Sequence, residues 1–383
     1  MSETKLGAVR RRLDEEFGGY SVDKVIGMMF ERARSLNVSL MAPNSLKTKI
    51  SRWENGHESV SQPIYRRLFR EIYGRTNEEL GFPPEREDDE RNELLERLEI
   101  AQTVDAETVA LFRRQIDDAR HVDRRWGGIT VLDQLRGHMK HIEDLLSYST
   151  LNGQREALAS VLTEAAALAG WEALDRNAIR QAWDHHERAK TAAREADSPL
   201  LRAHATAQQA FILIDLGRYD QAVEQLAASR ALADHRAPPL LQAWLAAAHG
   251  EGLAAAGHRD DALWAFDAAA TLLPNDPEDS SLPFLFLAGA HLDRWRGHGL
   301  SRLGEPDAID QLTHALPRLP ADFNRARAGM LVDLAYAYAA AGDRDAALEY
   351  ARQAKRQASQ IKSDRQLGRL GRLILPTGFT HAA

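Results

Sequence analysis

The residues of this chain best placed to do chemistry lie in one short run, Leu46-Lys47-Thr48-Lys49-Ile50-Ser51-Arg52-Trp53-Glu54-Asn55-Gly56. On a helix, Leu46, Ile50 and Trp53 fall within about 60° of one another, a stripe that faces a core. Lys47, Thr48, Ser51 and Arg52 occupy the opposite arc. Ser45 is placed to cap the start of this helix and Gly56 to end it in the left-handed conformation. Arginine and lysine pair with guanine edges, hydroxyls reach bases or phosphates, and such a helix fits the major groove of DNA. Lys49, at the flank of the arc, and Arg66, Arg67 and Arg70 of the next helix read as phosphate contacts. An ordinary amphipathic helix is the plainer alternative.

A second set lies far downstream. His291, Arg294, His298, Ser301 and Arg302 share an arc about 100° wide on one helix, a basic stripe suited to a carboxylate or an acidic peptide. Pairing with neighbouring Asp and Glu would give the same stripe a purely structural role. Its histidines predict ligand binding that strengthens as pH falls towards 6. Other constellations are weaker. His138 and His141, and the His185-His186-Glu187 run, find no third ligand at useful spacing, so no metal is expected. The chain has no Walker-type glycine-lysine loop and no Gly-x-Ser-x-Gly elbow, and Gly297-x-Gly299 falls inside a helix. Neither an enzyme nor a cofactor is expected.

The run Ile50-Ser51-Arg52-Trp53-Glu54-Asn55-Gly56 resembles the end of the recognition helix in phage-repressor-like (Xre-type) helix-turn-helix domains. The resemblance extends through Tyr65-Arg66-Arg67-Leu68-Phe69 to Glu79-Leu80-Gly81-Phe82, where such domains place their last helices. Upstream, the stretch from Ser21 to Ile50 is longer than the compact motif, so the first helices or the turn must carry an insertion.

A chain of 383 residues has room for two or three domains. The absence of cysteine excludes disulfides and thiolate chemistry. No run of about 18 apolar residues is evident and the first residues lack an apolar core, so neither a membrane span nor a secretory signal is expected, and the location is expected to be cytoplasmic. The net charge of −7 is unevenly spread. Residues 1–84 carry 14 Lys/Arg against 11 Asp/Glu, a net of +3, and the remainder 35 against 45, a net of −10. A mildly basic head on an acidic body suits a DNA-binding module joined to something that stays off DNA.

Small residues recur at a fixed interval. Ala182, Ala222, Ala262, Ala308 and Ala347 are spaced by 40, 40, 46 and 39. Gly170, Ala210, Gly250, Gly297 and Ala335 keep step with spacings of 40, 40, 47 and 38. Two ladders in register mean repeated helix hairpins, because helices that cross closely need small residues at the crossing. Asn275-Asp276-Pro277-Glu278-Asp279-Ser280-Ser281 accounts for the long step as an inserted loop. The third unit (Gly250, Leu253, Gly257, Ala262-Leu263-Trp264-Ala265-Phe266, Ala269, Pro274) and the fifth (Leu334-Ala335, Tyr338, Gly342, Ala347, Ala354) resemble tetratricopeptide repeats.

These signals predict an all-α chain, an N-terminal helix-turn-helix domain followed by a right-handed α-solenoid of tetratricopeptide-like helix hairpins. The expected divisions are a head over 1–84 ending at Pro83-Pro84, an acidic linker (Glu85 to Glu99) and connecting helices over 85–150, about five repeats over 151–358, and a capping helix and tail over 359–383. Trp126-Gly127-Gly128 separates the two connecting helices. First helices of stacked hairpins line a concave groove. The register puts Glu164, Trp171, His204, Phe211, Trp244, Glu251, Val332 and Tyr336 on it. Trp244 and Tyr336 join the basic stripe as ligand-binding candidates, although tryptophans at repeat positions read first as core.

A repressor-like head with a tetratricopeptide body resembles bacterial, actinobacterial-type transcriptional regulators in which the repeat domain receives a signal. The resemblance implies a homodimer that binds double-stranded DNA and a peptide, metabolite or protein ligand in the groove. Peptide-receiving members hold the peptide backbone with groove asparagines, whereas Asn177 and Asn275 fall in loops by register. Leu367, Leu370, Leu373, Ile374 and Leu375 offer an apolar surface that either pairs two chains or caps the array. An interaction scaffold whose head keeps the fold without the DNA function is the alternative.

Overall fold

A threonine and a proline start the helices that matter most to the head. In the computed structural model, which describes residues 4–83, 87–127, 131–233, 237–276, 279 and 281–376, all regular elements among those residues are helical. Pro84, Glu85, Gly128, Pro277, Glu278, Ser280 and the tail from residue 377, noted above, lie outside the described residues. Two compact units emerge, Met1–Arg97 and Leu98–Ala383.

The first unit holds α1 (Lys5–Phe17), α2 (Val22–Leu36), α3 (Pro43–Glu54), α4 (Pro63–Tyr73) and α5 (Asn77–Leu80). Thr4 caps α1 by accepting from the Gly7 amide, and its hydroxyl reaches the Glu54 carbonyl at 2.8 Å. Pro43 and Pro63 begin α3 and α4, where a missing amide costs nothing. Ser45 is therefore not the cap of α3, which starts two residues earlier after Ala42. Gly56 does follow the helix with a positive φ of 71°. The core joins Leu46, Ile50 and Trp53 to Met29, Leu68 and Phe69, with the Trp53 and Tyr65 rings 5.2 Å apart. The buried Glu54 pairs with Arg10 at 2.5 Å and fastens α3 to α1.

Helix α6 (Glu87–Gln102) runs across the boundary between the units, so the expected acidic linker is helical in this part. The second unit continues with α7 (Ala106–Trp126) and α8 (Leu132–Tyr148). Five hairpins follow: α9 (Asn152–Asp175) with α10 (Ile179–Glu195), α11 (Pro199–Asp215) with α12 (Tyr219–Ala233), α13 (Pro239–Ala255) with α14 (Arg259–Leu272), α15 (Gly289–Leu303) with α16 (Asp307–Ala315), and α17 (Asn324–Ala340) with α18 (Arg344–Gln360). The short α19 (Asp364–Leu370) closes the array. Helices pack in sequential pairs, the arrangement of a helical solenoid. Both ladders of small residues lie where paired helices cross: all five alanines of the first are fully buried, and a Cβ on Gly170 would stand 2.6 Å from His186 Nε2. A third ladder keeps the same step. Asn177, Gly217, Gly257, Gly304 and Gly342 all have positive φ and end the first helix of each hairpin.

Three expectations are corrected here. Helix α9 is long and apolar enough to cross a membrane by length and composition, against the sequence reading, but 78% of its most apolar window is buried within the fold. The long step is more than a surface loop, because Leu282, Leu285 and Leu287 of the segment between α14 and α15 are buried in the core. The array also fails to stay open. Helix α17 packs on α7, α19 packs on α9, and Ser363 donates to Asp175 at 2.7 Å, so the last helices return to the first. Helix α19 thus joins the two ends of the turn rather than only covering one. Of the apolar surface near it, Leu370 packs inward while Ile374 is 86% exposed.

Candidate functional site

The polar face of α3 stands apart from its buried stripe. Lys47, Thr48, Ser51 and Arg52 are exposed, as the periodicity predicts, and Lys49 is half-buried at the flank. Three of the five meet acids within the head. Lys47 Nζ lies 2.6 Å from Asp23, Lys49 Nζ 2.5 Å from Glu58 Oε2, and Arg52 Nη2 3.0 Å from Glu58 Oε1. The Lys49 hydrogen bond is the main reason the Glu58 carboxyl sits below its ordinary value. Thr48 folds its hydroxyl back on the Asn44 carbonyl at 3.1 Å. On α4 the Arg66 guanidinium donates to the Val60 and Ser61 carbonyls at 2.7 Å each and so fastens the α3–α4 connection. Arg67 is exposed and shares Glu71 with Arg32. Arg70 donates to Asn77 at 3.1 Å.

The second unit contains a cavity of about 260 Å³ at the centre of the closed turn. First helices of successive hairpins build its wall, as the register predicts. Trp171 comes from α9, His204 and Phe211 from α11, Trp244 and Glu251 from α13, and His291, Arg294, Trp295, His298 and Arg302 from α15. The stripe and Trp244 thus share one cavity. Tyr336 does not join them: its hydroxyl donates to the Arg369 carbonyl at 2.7 Å and its ring packs in a neighbouring cluster. Val332 is likewise fully buried in that cluster. Of the tryptophans expected as core, Trp244 and Trp295 are buried in the main core cluster and also face the cavity, Trp171 packs against that cluster and faces the cavity too, and Trp264 is 74% exposed.

Several lining groups carry no repeat signal and escaped the sequence reading. Arg120, Asp123 and Arg124 come from α7, Phe284 and Phe286 from the inserted segment, and Arg365 and Arg369 from α19. The apolar run Leu282-Pro283-Phe284-Leu285-Phe286-Leu287 was the available sign that this segment turns inward. The Phe284 ring lies 4.6 Å from that of His204, tilted by 42°, and Phe286 lies 5.0 Å from His291.

Seven arginines and five acidic residues line the cavity. Most are matched. Arg120 meets Glu164 at 2.7 Å, Arg369 meets Asp333 at 2.5 Å, and Arg325 pairs with Asp123 and Asp175. His298 is held between carboxylates, Nδ1 at 2.7 Å from Asp333 and Nε2 at 3.2 Å from Glu251. Nε2 also lies 3.0 Å from Arg302 Nε, so it either donates to Glu251 or accepts from Arg302. Burial would raise the Glu251 carboxyl, but His298 holds it down to about 2. Arg294 is different. Its Nε is buried with no hydrogen-bond partner, and among the described residues the guanidinium makes no ion pair, lying 5.8 Å from the Trp295 ring. Burial lowers its pKa. Arg302 is exposed and makes no ion pair with a carboxylate among the described residues. His291 has both ring nitrogens buried without a partner. Burial drives its pKa down to about 3, so the expected gain of charge near pH 6 does not apply to this residue.

No group of three or more metal-ligating side chains occurs among the described residues. No protein-family model matches the chain, and comparison with the curated proteins finds no match.

Proposed function

We propose that the chain is a sequence-specific DNA-binding transcriptional regulator of the cytoplasm, acting as a homodimer. In this reading α2 and α3 form the helix-turn-helix of a repressor-like head, and a tetratricopeptide-like body receives a signal that modulates DNA binding. The observation that carries it is the division of α3: Leu46, Ile50 and Trp53 are buried, while Lys47, Thr48, Ser51 and Arg52 stay at the surface. A recognition helix needs both properties, a fixed back and a front of hydrogen-bond donors. The connection of residues 37–42 between α2 and α3 accounts for part of the extra length between Ser21 and Ile50.

For the body, the support is one cavity bounded by both ends of the array. A ligand in this cavity would touch α15 on one side and α19 on another and so would favour the closed turn over an open one, and only such a difference in affinity can move an equilibrium. A tenfold change in operator affinity needs about 1.4 kcal/mol of coupling, well within the usual range. The scaffold reading draws on the ion pairs of Lys47, Lys49 and Arg52, which satisfy these cations within the head. A gel shift against the region upstream of the chain's own gene separates the two. A discrete complex that survives excess unrelated duplex and is weakened by Arg52→Ala supports the regulator. Binding that unrelated duplex removes equally well supports the scaffold.

A further inference from the structure

We infer that the central cavity binds a compact organic acid with a flat, aromatic or similarly apolar body, and that Arg294 and Arg302 receive its anionic group. This deepens the signal-receiving part of the reading above and rests on it, but requires nothing of the head.

Volume sets the size. A cavity volume of about 260 Å³ lies just below the range of pockets for drug-sized ligands, the scale of a one- or two-ring acid. Helix α19 and the inserted segment add Arg365, Arg369, Phe284 and Phe286 to the wall, which favours a compact ligand over an extended peptide. Charge sets the sign. Arg294 has a buried Nε without a hydrogen-bond partner and no carboxylate within ion-pair distance among the described residues, Glu251 and Asp333 acting on it only from farther off. The lining acids are already engaged: Asp333 with Arg369 and His298, Glu164 with Arg120, Asp123 and Asp175 with Arg325, and Glu251 with His298. Arg294 and Arg302 lie two helical turns apart on one face of α15, with His298 between them, and both front the cavity. An anion placed there would gain charge-assisted hydrogen bonds from planar donor forks.

The walls set the body. Trp244 and Trp295 stand 5.6 Å apart beside Arg294, and Phe211 is 6.1 Å from Trp295. These faces and edges suit a flat ring better than an alkyl chain or a bare inorganic anion. The neutral His291 imidazole adds one donor and one acceptor a helical turn away from Arg294.

The test titrates the full chain with 2-naphthoate, its neutral isostere 2-naphthamide, and inorganic phosphate. Quenching of the cavity tryptophans and calorimetry supply the readouts. Naphthoate is expected to bind at least tenfold more tightly than either of the others. Arg294→Met is expected to lower naphthoate affinity at least tenfold while leaving the weak naphthamide binding unchanged. In the absence of naphthoate, Arg294→Met should keep the wild-type helical spectrum and a cooperative melt, so that its loss of affinity is not a loss of fold. Arg302→Met provides a second variant, and the three-ligand comparison on the wild type needs no variant at all. Equal affinity for naphthoate and naphthamide, phosphate binding as tight as naphthoate, or no naphthoate binding up to about 1 mM would each overturn the inference. None of these readouts involves DNA, so a failure here is distinct from a failure of the head to bind duplex.

Discussion

Arg365 of α19 and Asp215 at the end of α11 form a two-point ion pair across the closed turn, Nε to Oδ2 at 2.6 Å and Nη2 to Oδ1 at 2.9 Å. Both side chains are largely buried, 12% and 15% exposed, and they join residues 150 apart in sequence. Burial would raise the Asp215 carboxyl, but the Arg365 charge and hydrogen bonds leave it below its ordinary value. With Ser363 on Asp175 and Arg325 on Asp123, this pair clasps the last helices to the first. Arg365→Ala strands a buried carboxylate and should cost about 3 kcal/mol. Thermal melts of Arg365→Ala, Asp215→Asn and the double variant measure it, and the double variant should lose less than the two single losses combined.

Beside the clasp, Glu172 is fully buried with neither carboxylate oxygen hydrogen-bonded. Burial, reinforced by Asp123, pushes its carboxyl well above the ordinary carboxylate range. A group raised in this way contributes stability at pH values below its unfolded value, near 4, and loses it as pH rises through the folded value. Glu172→Gln should therefore melt higher than wild type at pH 9, with the difference shrinking as pH falls to 5. A constant difference across that range contradicts the assignment.

His291 yields a prediction opposite in direction to its reading as a titrating histidine. Because burial holds its pKa at about 3, it stays neutral between pH 7.5 and 6. His291→Gln should leave the slope of 2-naphthoate affinity over that interval unchanged, while lowering affinity at every pH if the imidazole donates to the ligand. A slope that disappears in His291→Gln would show that it titrates there.

On the head, Glu58 pairs with Lys49 and Arg52, and in the proposed regulator it would compete with DNA for both. Duplex binding must break both pairs before either cation can reach a phosphate or a base. Glu58→Gln should strengthen binding to all sequences several-fold and steepen the salt dependence by about one counterion. Titrations in a salt series decide it, and weaker binding in Glu58→Gln would place Glu58 in the interface as an acceptor.

The sequence made the α3 stripe legible because a helix imposes a single period on its buried side, so Leu46, Ile50 and Trp53 could be read without coordinates. The same held for Gly170 and Gly250, since a helix crossing leaves no room for a Cβ. Ser45 misled because Pro43 starts the helix earlier without a side-chain cap. Tyr336 misled because repeat register describes an open solenoid, and α19 covers that position in the closed one. Arg365, Arg120 and Phe286 had no periodic signal: they reach the cavity only because distant segments meet, and closure of this kind is a tertiary property. The pairing of Arg66 with two carbonyls was equally hidden, as a surface arginine carries no mark of what it donates to.

The central claim, that α3 reads base sequence, is tested most directly by selecting bound duplexes from a random-sequence pool with the full chain. The wild type should enrich one motif, an inverted repeat with half-sites about one helical turn apart, and Lys47→Ala/Arg52→Ala should lose the preference at positions within each half-site. Recovery of no motif by the wild type, or of the same motif with unchanged preference by the double variant, would contradict it.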